Sequence, residues 1–403
     1  MTGRTALMMA VVFLIPSPCF AFMEMETGET SADLKLFARL AVMRAETPTI
    51  PLTPDSGGPL SASDTSLRLI TEGKAEGFVT AEFHAQESWT AGSFPSVGSA
   101  LSKVSVERSS ALSALQRDDG GTLAVLDVDR LSLRMDFNRV DVTIGRQPVN
   151  LSALYYFTPN DIFAPFSASA FYRVYKPGVD SARLEVRVSE LSQFTFVHAL
   201  GYKPDVDSAT GWSAGADDGR SSSIARFSAM LRGVEVTFLG GSRAGAGITG
   251  GALQGEIAGK IGVRAEGNHV NPKDGDPYWT LAMEADRRFE NSLNVRAAYL
   301  RNGNGADTVS GYDFSAMYPG RDYVVGGAGY EFSPLLAGEA VWLFNMNDDS
   351  SMVSFTLVYS TSDESEIALT ASAPYGRGWG GDGAGSEFGS RASTAFLELR
   401  AYF

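Results

Sequence analysis

Arginines recur at alternate positions along several short segments of the chain: Arg130 and Arg134 in one, Arg183 and Arg187 in a second, Arg226 in a third. A guanidinium is a planar fork of N–H donors that stays charged at any physiological pH, so such a set can steer or hold anions. Glu82, Asp129, Asp136, Asp141 and Glu185 lie on or near the same segments and would neutralise part of that charge. A sixth arginine ends the run Gly145-Arg146-Gln147, and the aromatic-rich stretch Tyr155-Tyr-Phe-Thr-Pro-Asn-Asp-Ile-Phe-Ala-Pro165 follows, carrying Asp161. Arg146 has two readings: contact with a carboxylate or phosphate on a solute, or a structural pair with Asp161 or another carboxylate.

Patterns for catalysis are sparse. His84, His198 and His269 form no pair at metal-ligand spacing, and there is no Gly-x-Ser-x-Gly elbow. His84 is the one base around which a hydrolase could assemble, and a structural hydrogen bond is its plainer role. Asp274-Gly-Asp276 and Asp217-Asp218-Gly219 begin like calcium loops but supply no full ligand set. The Gly-rich stretch 376–385 lacks the lysine of a phosphate loop and reads as surface loop. No catalytic residue, cofactor or metal is assigned, and the expectation is a protein that is not an enzyme. The formal charge of −14 argues against a nucleic-acid partner.

Residues 1–21 have the parts of a secretory signal: Arg4, an apolar stretch over 6–15, and Cys19-Phe20-Ala21 before the expected cleavage. The apolar stretch falls short of the roughly 20 residues a bilayer demands, and Pro16 and Pro18 interrupt it. Cys19, the single cysteine, leaves with the signal, so the mature chain has neither disulfide nor thiolate; loss of Arg4 takes the charge to −15. No later segment is apolar for long enough to be a membrane helix. If the chain crosses a membrane it does so as a closed barrel, since only helices and closed barrels satisfy every backbone group in lipid.

The elements that position the arginines are strands. From about Glu76 onward apolar and polar residues alternate with period two: Val79, Ala81, Phe83 and Ala85 against Thr80, Glu82, His84 and Gln86; Leu131, Leu133 and Met135 against Arg130, Ser132 and Arg134. The device repeats around Leu184, Phe227, Val263, Leu281, Val295, Phe355 and Leu369, and the Gly-rich stretch 247–257 counts as one more strand. Short turns at Asn138-Arg139, 189–192, Gly233, Glu290-Asn291, Ser333-Pro334 and 362–364 alternate with long links over 148–176, 201–222, 302–320 and 375–391. In outer-membrane barrels short turns are periplasmic and long loops extracellular. Trp89, Tyr278, Trp279, Tyr299, Tyr323, Trp342 and Tyr359 fit interfacial girdles. Residues 31–46 have mixed helical spacing and 47–65 are rich in Pro, Ser, Thr and Asp, so 22–65 is expected to be a periplasmic helix or arm with a linker, and 66–403 the barrel. A soluble β-sandwich is the competing fold; charged residues of both signs on the second face suit a water-filled lumen better.

The final run sets Ala395, Leu397, Leu399, Ala401 and Phe403 on one side and Phe396, Glu398, Arg400 and Tyr402 on the other. With the Gly145-Arg146-Gln147 strand end and the Pro-x-Asp-x-Phe loop at 159–163, the chain resembles Gram-negative outer-membrane porin-like barrels, including the alginate-export type; Asn150-Leu151-Ser152 stands where many of those have a Trp-Gly pair. The resemblance implies an all-β, antiparallel transmembrane β-barrel of about sixteen strands (about 14–18) in the bacterial outer membrane. It also implies a loop over 148–175 that folds inward, where Asp161 and the aromatics narrow the passage beside Arg146. The partners that follow are outer-membrane lipid, barrel-assembly machinery meeting the strand that ends at Phe403, a small solute, and a second copy of the barrel. The function expected is passive diffusion of small hydrophilic or anionic solutes past the candidate lining residues Arg130, Arg134, Arg146, Asp161, Arg183, Arg187 and Arg226. Two alternatives are a barrel that sleeves a periplasmic electron-transfer or export protein, and a surface hydrolase built on His84.

Overall fold

In the computed structural model the described residues are 23–28, 30–49, 57–92, 106–168, 175–381 and 383–403. The proposed signal and its cleavage site lie outside them. Eighteen antiparallel strands close into one barrel. They are β1 (Thr30–Thr47), β2 (Gly58–Ala75), β3 (Val79–Gly92), β4 (Thr122–Asp136), β5 (Val140–Gln147), β6 (Val179–Ser189), β7 (Ser192–Ala199), β8 (Ser222–Leu231) and β9 (Val234–Arg243). The second half is β10 (Ala246–Ile257), β11 (Ile261–Asn271), β12 (Tyr278–Arg288), β13 (Asn294–Asn302), β14 (Asp322–Ser333), β15 (Leu336–Asn345), β16 (Ser350–Ser362), β17 (Ser365–Tyr375) and β18 (Ser393–Tyr402). Each strand pairs with its sequence neighbours, and β18 returns to β1 in a register that sets Phe37 against Tyr402 and Glu46 against Ser393. Closure leaves the barrel without a free edge, which is what a sheet in hydrocarbon requires. No helix among the described residues is long and apolar enough to cross a membrane, so any crossing is made by strands.

The count is eighteen against an expected sixteen or so, and the difference sits at the start of the chain. Residues 30–47 and 58–75 form β1 and β2, not a helix, arm and linker. The spacing Leu34, Phe37, Leu40, Ala41 satisfies a helix, but Leu34, Leu36 and Val42 also alternate outward, and pairing with β18 makes the strand reading win. The Gly-rich strand is present as β10.

Period-two alternation divides the sheet as expected. Leu131 (46%), Leu281 (48%) and Leu397 (49%) are exposed on the outside, while their neighbours Arg130, Ala282 and Glu398 turn inward. An apolar belt of this kind is costly in water and favourable in lipid at about 25 cal/mol per Å². At one end the connections are all brief: 76–78, 137–139, 190–191, 232–233, 258–260, 289–293, 334–335 and 363–364. Arg232 (φ 52°) and Gly233 (φ 85°) make the two-residue type I′ turn whose twist matches a hairpin. The long loops share the other end, which is therefore taken as the outer one. Two of its connections are short, Ala244-Gly245 and 346–349. Trp279, Trp342 and Tyr359 face outward as girdle residues should, whereas Tyr323 is fully buried and Tyr278 lines the interior; both fall on the inward parity of their strands.

Candidate functional site

The link between β5 and β6 enters the lumen and packs on the inner face of β10 to β16. Leu154, Tyr156 and Phe157 bury themselves against Ala282, Leu300, Val325 and Leu343. A segment without regular structure carries backbone N–H groups that need acceptors once buried. Two wall carboxylates provide them. Glu266 on β11 accepts from Ser152 Oγ (2.7 Å), Ala153 N (2.8 Å) and Asn160 N (3.0 Å). Glu284 on β12 accepts from Tyr155 N (3.1 Å) and Tyr156 N (3.0 Å), and Arg264 and Arg296 lie 3.3 and 3.6 Å from it. Asn268 Nδ2 donates to Pro159 O (2.7 Å), and Asn160 Nδ2 to Gly251 O (3.0 Å). Gly327 on β14 leaves room for this packing: a Cβ there would lie 1.7 Å from Tyr156 Oη.

Arg146 and Asp161, expected at the narrowing, are spent on structure and do not meet. Arg146 is 1% exposed; it grips Asp180 through Nε (2.7 Å) and Nη2 (3.0 Å), and donates to the carbonyls of Val128 and Ser109 at 2.8 Å. Of its two readings the structural one holds, with Asp180 as the wall carboxylate. Asp161 is buried against Lys176 within the same loop; burial pushes its carboxyl above the ordinary range and the Lys176 amine below its own.

The other five candidate arginines do face inward, and each has a carboxylate. Arg130 meets Glu82 (2.7 Å), Arg183 meets Glu185 (3.3 Å) and Arg226 meets Glu235 (3.5 Å). Nearer the short-turn rim Arg134 and Arg187 share Asp141 at 3.2 and 3.5 Å. His84 Nε2 lies 3.1 Å from Glu82, and its Nδ1 makes no hydrogen bond with any described residue.

Residues the sequence reading passed over complete the wall. Arg39 on β1 bridges Asp64 (3.0 Å) and Glu398 (3.2 Å), and Arg400 bridges Glu366 (3.0 Å) and Glu398 (2.6 Å). Arg68 donates to Asp129 at 2.6 Å and lies 4.4 Å from the centre of the Tyr175 ring, while Arg108 takes the other oxygen of Asp129 at 2.9 Å and also Asp127. Arg39 was hidden by the helical reading of β1; Glu398 and Arg400 carried a visible signal, the polar parity of the last strand. Beside this wall a chamber of about 480 Å³ is lined by Arg39, Arg391 and Arg400, by the hydroxyls of Ser354 and Thr356, and by one carboxylate, Glu398. No grouping of metal-ligating side chains occurs among the described residues.

No protein-family model matches the sequence, and no curated protein is similar to it. Solved structures do share the fold. OccAB4 of Acinetobacter baumannii superposes with a TM-score of 0.62 at 8% identity, covering 92% of this chain and 98% of that one. OccK7 (OpdD) of Pseudomonas aeruginosa gives 0.59 at 10% identity over 94% and 99%, and OccK2 (OpdF) of the same organism 0.58 at 13% over 92% and 97%. These are Occ/OprD-family outer-membrane porins. The chain thus has the fold of Gram-negative outer-membrane porins: a closed, antiparallel 18-strand barrel of the kind that sits in the bacterial outer membrane.

Proposed function

We propose that the protein is an outer-membrane channel for passive diffusion of small hydrophilic solutes, with a preference for anions. The observation that carries the reading is the juxtaposition of an inward loop pinned by Glu266 and Glu284 with a chamber whose lining sets three guanidiniums against one carboxylate. Each of those guanidiniums also has a carboxylate partner beyond the lining, Arg39 with Asp64, Arg400 with Glu366 and Arg391 with Glu387, which lowers its field, so an anion finds shared donors at each step and is held at none of them. The sleeve alternative gains no support, because loop residues 151–168 occupy space a threaded protein would need. The hydrolase alternative gains no support, because His84 is hydrogen-bonded to no hydroxyl among the described residues.

Reconstitution into planar bilayers under a KCl gradient tests the proposal. A reversal potential on the chloride side is expected, moving toward potassium in Arg39→Glu. Absence of conductance from folded protein removes the channel, and a potassium-side potential in the unaltered protein removes the anion preference.

A further inference from the structure

The lipid-facing side of the barrel carries a furrow of about 750 Å³ across β10 to β14. Its floor is one row of outward positions that the ladder sets side by side, Gly255, Val263, Ala285, Ala297 and Gly326, all small except Val263. The next row toward the outer rim, Leu253, Ala265, Met283, Tyr299 and Val324, makes one ridge, on which Leu253 is 51% and Met283 57% exposed; Ile257, Ile261 and Val295 stand on the other. Elsewhere on the belt the ladder pairs large side chains, as with the exposed Leu133 and Ile144. Five strands about 4.8 Å apart give the furrow a length of about 19 Å at the width of one row. Since strands of such barrels tilt, the furrow climbs the belt, from Gly255 near the short-turn end of β10 to Val324 near the outer end of β14. Two outward arginines flank it. Arg301, toward the outer rim, is matched by Asp322 at 2.7 Å, which also accepts Tyr299 Oη at 2.5 Å. Arg287, toward the short-turn rim, is exposed, lies 4.6 Å from the centre of the Phe289 ring and forms an ion pair with no described residue; Asp286 beside it turns to the lumen and holds Arg264.

We propose that the furrow seats an acyl chain of a phospholipid from the periplasmic leaflet, and that Arg287 takes its head phosphate. The site lies outside the lumen and is independent of what the channel passes. An apolar trough one row wide with an unmatched guanidinium at its periplasmic side is the complement of a molecule with one flexible chain and one anionic end, and basic residues at a membrane surface hold anionic head groups. The matched state of Arg301 directs the head to the periplasmic rim. A second barrel suits the surface less well. Two-fold packing sets the same patch against itself, and the outward rows of β10 to β14 hold a single carboxylate, Asp322, which is already engaged, so Arg287 would enter a dry contact without a partner.

Phosphatidylglycerol and diacylglycerol of the same chains are the probes, because they share the acyl part and differ in the phosphate. Binding of each to the detergent-solubilised full barrel is measured by native mass spectrometry, with inorganic phosphate as competitor. Phosphatidylglycerol is expected to bind about fivefold more tightly than diacylglycerol, the worth of one cation at a membrane surface. Arg287→Gln should remove that preference and Arg287→Lys should keep most of it. Ala297→Leu raises the furrow floor from the lipid side, and should weaken both lipids while leaving folding and conductance unchanged. Inorganic phosphate should displace neither. Equal affinity of the intact barrel for the two lipids, or a preference untouched in Arg287→Gln, overturns the head assignment. Lipid binding unaltered in Ala297→Leu overturns the chain seat, and displacement by inorganic phosphate reduces the site to an ion contact and overturns it as a lipid site. A dimer in detergent that Ala297→Leu breaks makes the furrow a contact between barrels and overturns the proposal.

Discussion

Removing the Glu266 carboxylate should release the inward loop while leaving the barrel closed. In Glu266→Ala three donors lose their acceptor, at 2.7, 2.8 and 3.0 Å in the intact protein. Bonds to a charged acceptor are worth about 1.5–3 kcal/mol each, so the gross loss over three is about 5–9 kcal/mol. Part is recovered because a buried charge is no longer held out of water and because water can enter the lumen, which leaves about 2–3 kcal/mol. At about 1.4 kcal/mol per decade the unpinned state gains roughly thirty- to 140-fold in population. Glu266→Gln keeps one acceptor oxygen but turns an amide N–H toward a backbone N–H, and should fall between. Hydrogen exchange on the detergent-solubilised protein reads the effect directly: the amides of Ala153 and Asn160 should exchange faster by that factor. Those of Tyr155 and Tyr156, held by Glu284, serve as internal reference. Increased current noise should accompany the change. If Ala153 and Asn160 keep their protection within about threefold, the carboxylate is not what holds the loop and the pinning argument fails.

Other consequences can be checked singly. Gly327→Ala should expel Tyr156 from its seat, because the new methyl would lie 1.7 Å from its hydroxyl and 2.9 Å from Cζ; adding Tyr156→Phe should restore part of the wild-type conductance, and strictly additive effects would count against the contact. Asp129→Ala leaves the buried guanidinium of Arg68 with Gln86 but no carboxylate and that of Arg108 with Asp127 alone, and a loss of about 3 kcal/mol should appear in urea unfolding of the barrel. Glu387, in the loop between β17 and β18, is buried, which pushes its carboxyl above the ordinary range. A raised value means the folded loop binds the proton more tightly than an open one. Its stability contribution is therefore full below the usual carboxylate pKa of about 4.3 and lost as pH rises through the raised value. Protease protection of that loop should be greater at acid pH than at neutral pH, and Glu387→Gln should abolish the difference.

Much of the barrel was legible because the membrane allows few solutions. Alternation at Leu131-Ser132-Leu133 assigns an inside and an outside, and brief turns such as Arg232-Gly233 set apart one rim. The first two strands escaped because the outer half of β2 offers Ser61, Ser63 and Thr65 at its lipid-side positions, a polar composition that reads as linker until β1 is seen beside it. The site was less legible than the fold. Parity could say that Arg130 and Arg226 face inward, but the choice of Asp180 over Asp161 as partner of Arg146 depends on β5 lying against β6 with Arg146 opposite Asp180, a register no local pattern reveals. The roles of Glu266 and Glu284 depend on a loop more than a hundred residues upstream folding back on them.

The seam between β18 and β1 bears on the order of assembly. Arg39 and Glu398 are 359 residues apart in sequence, and the cluster they form with Asp64, Glu366 and Arg400 draws on four strands, two from each end of the chain. Contacts of such long range are intrinsically slow to form, and the Arg39–Glu398 pair that crosses the seam cannot form until the first strand has waited for the last. An incompletely zipped intermediate would accordingly be a leaky, undiscriminating opening, and the charged wall would come into being in the same event that makes the envelope tight.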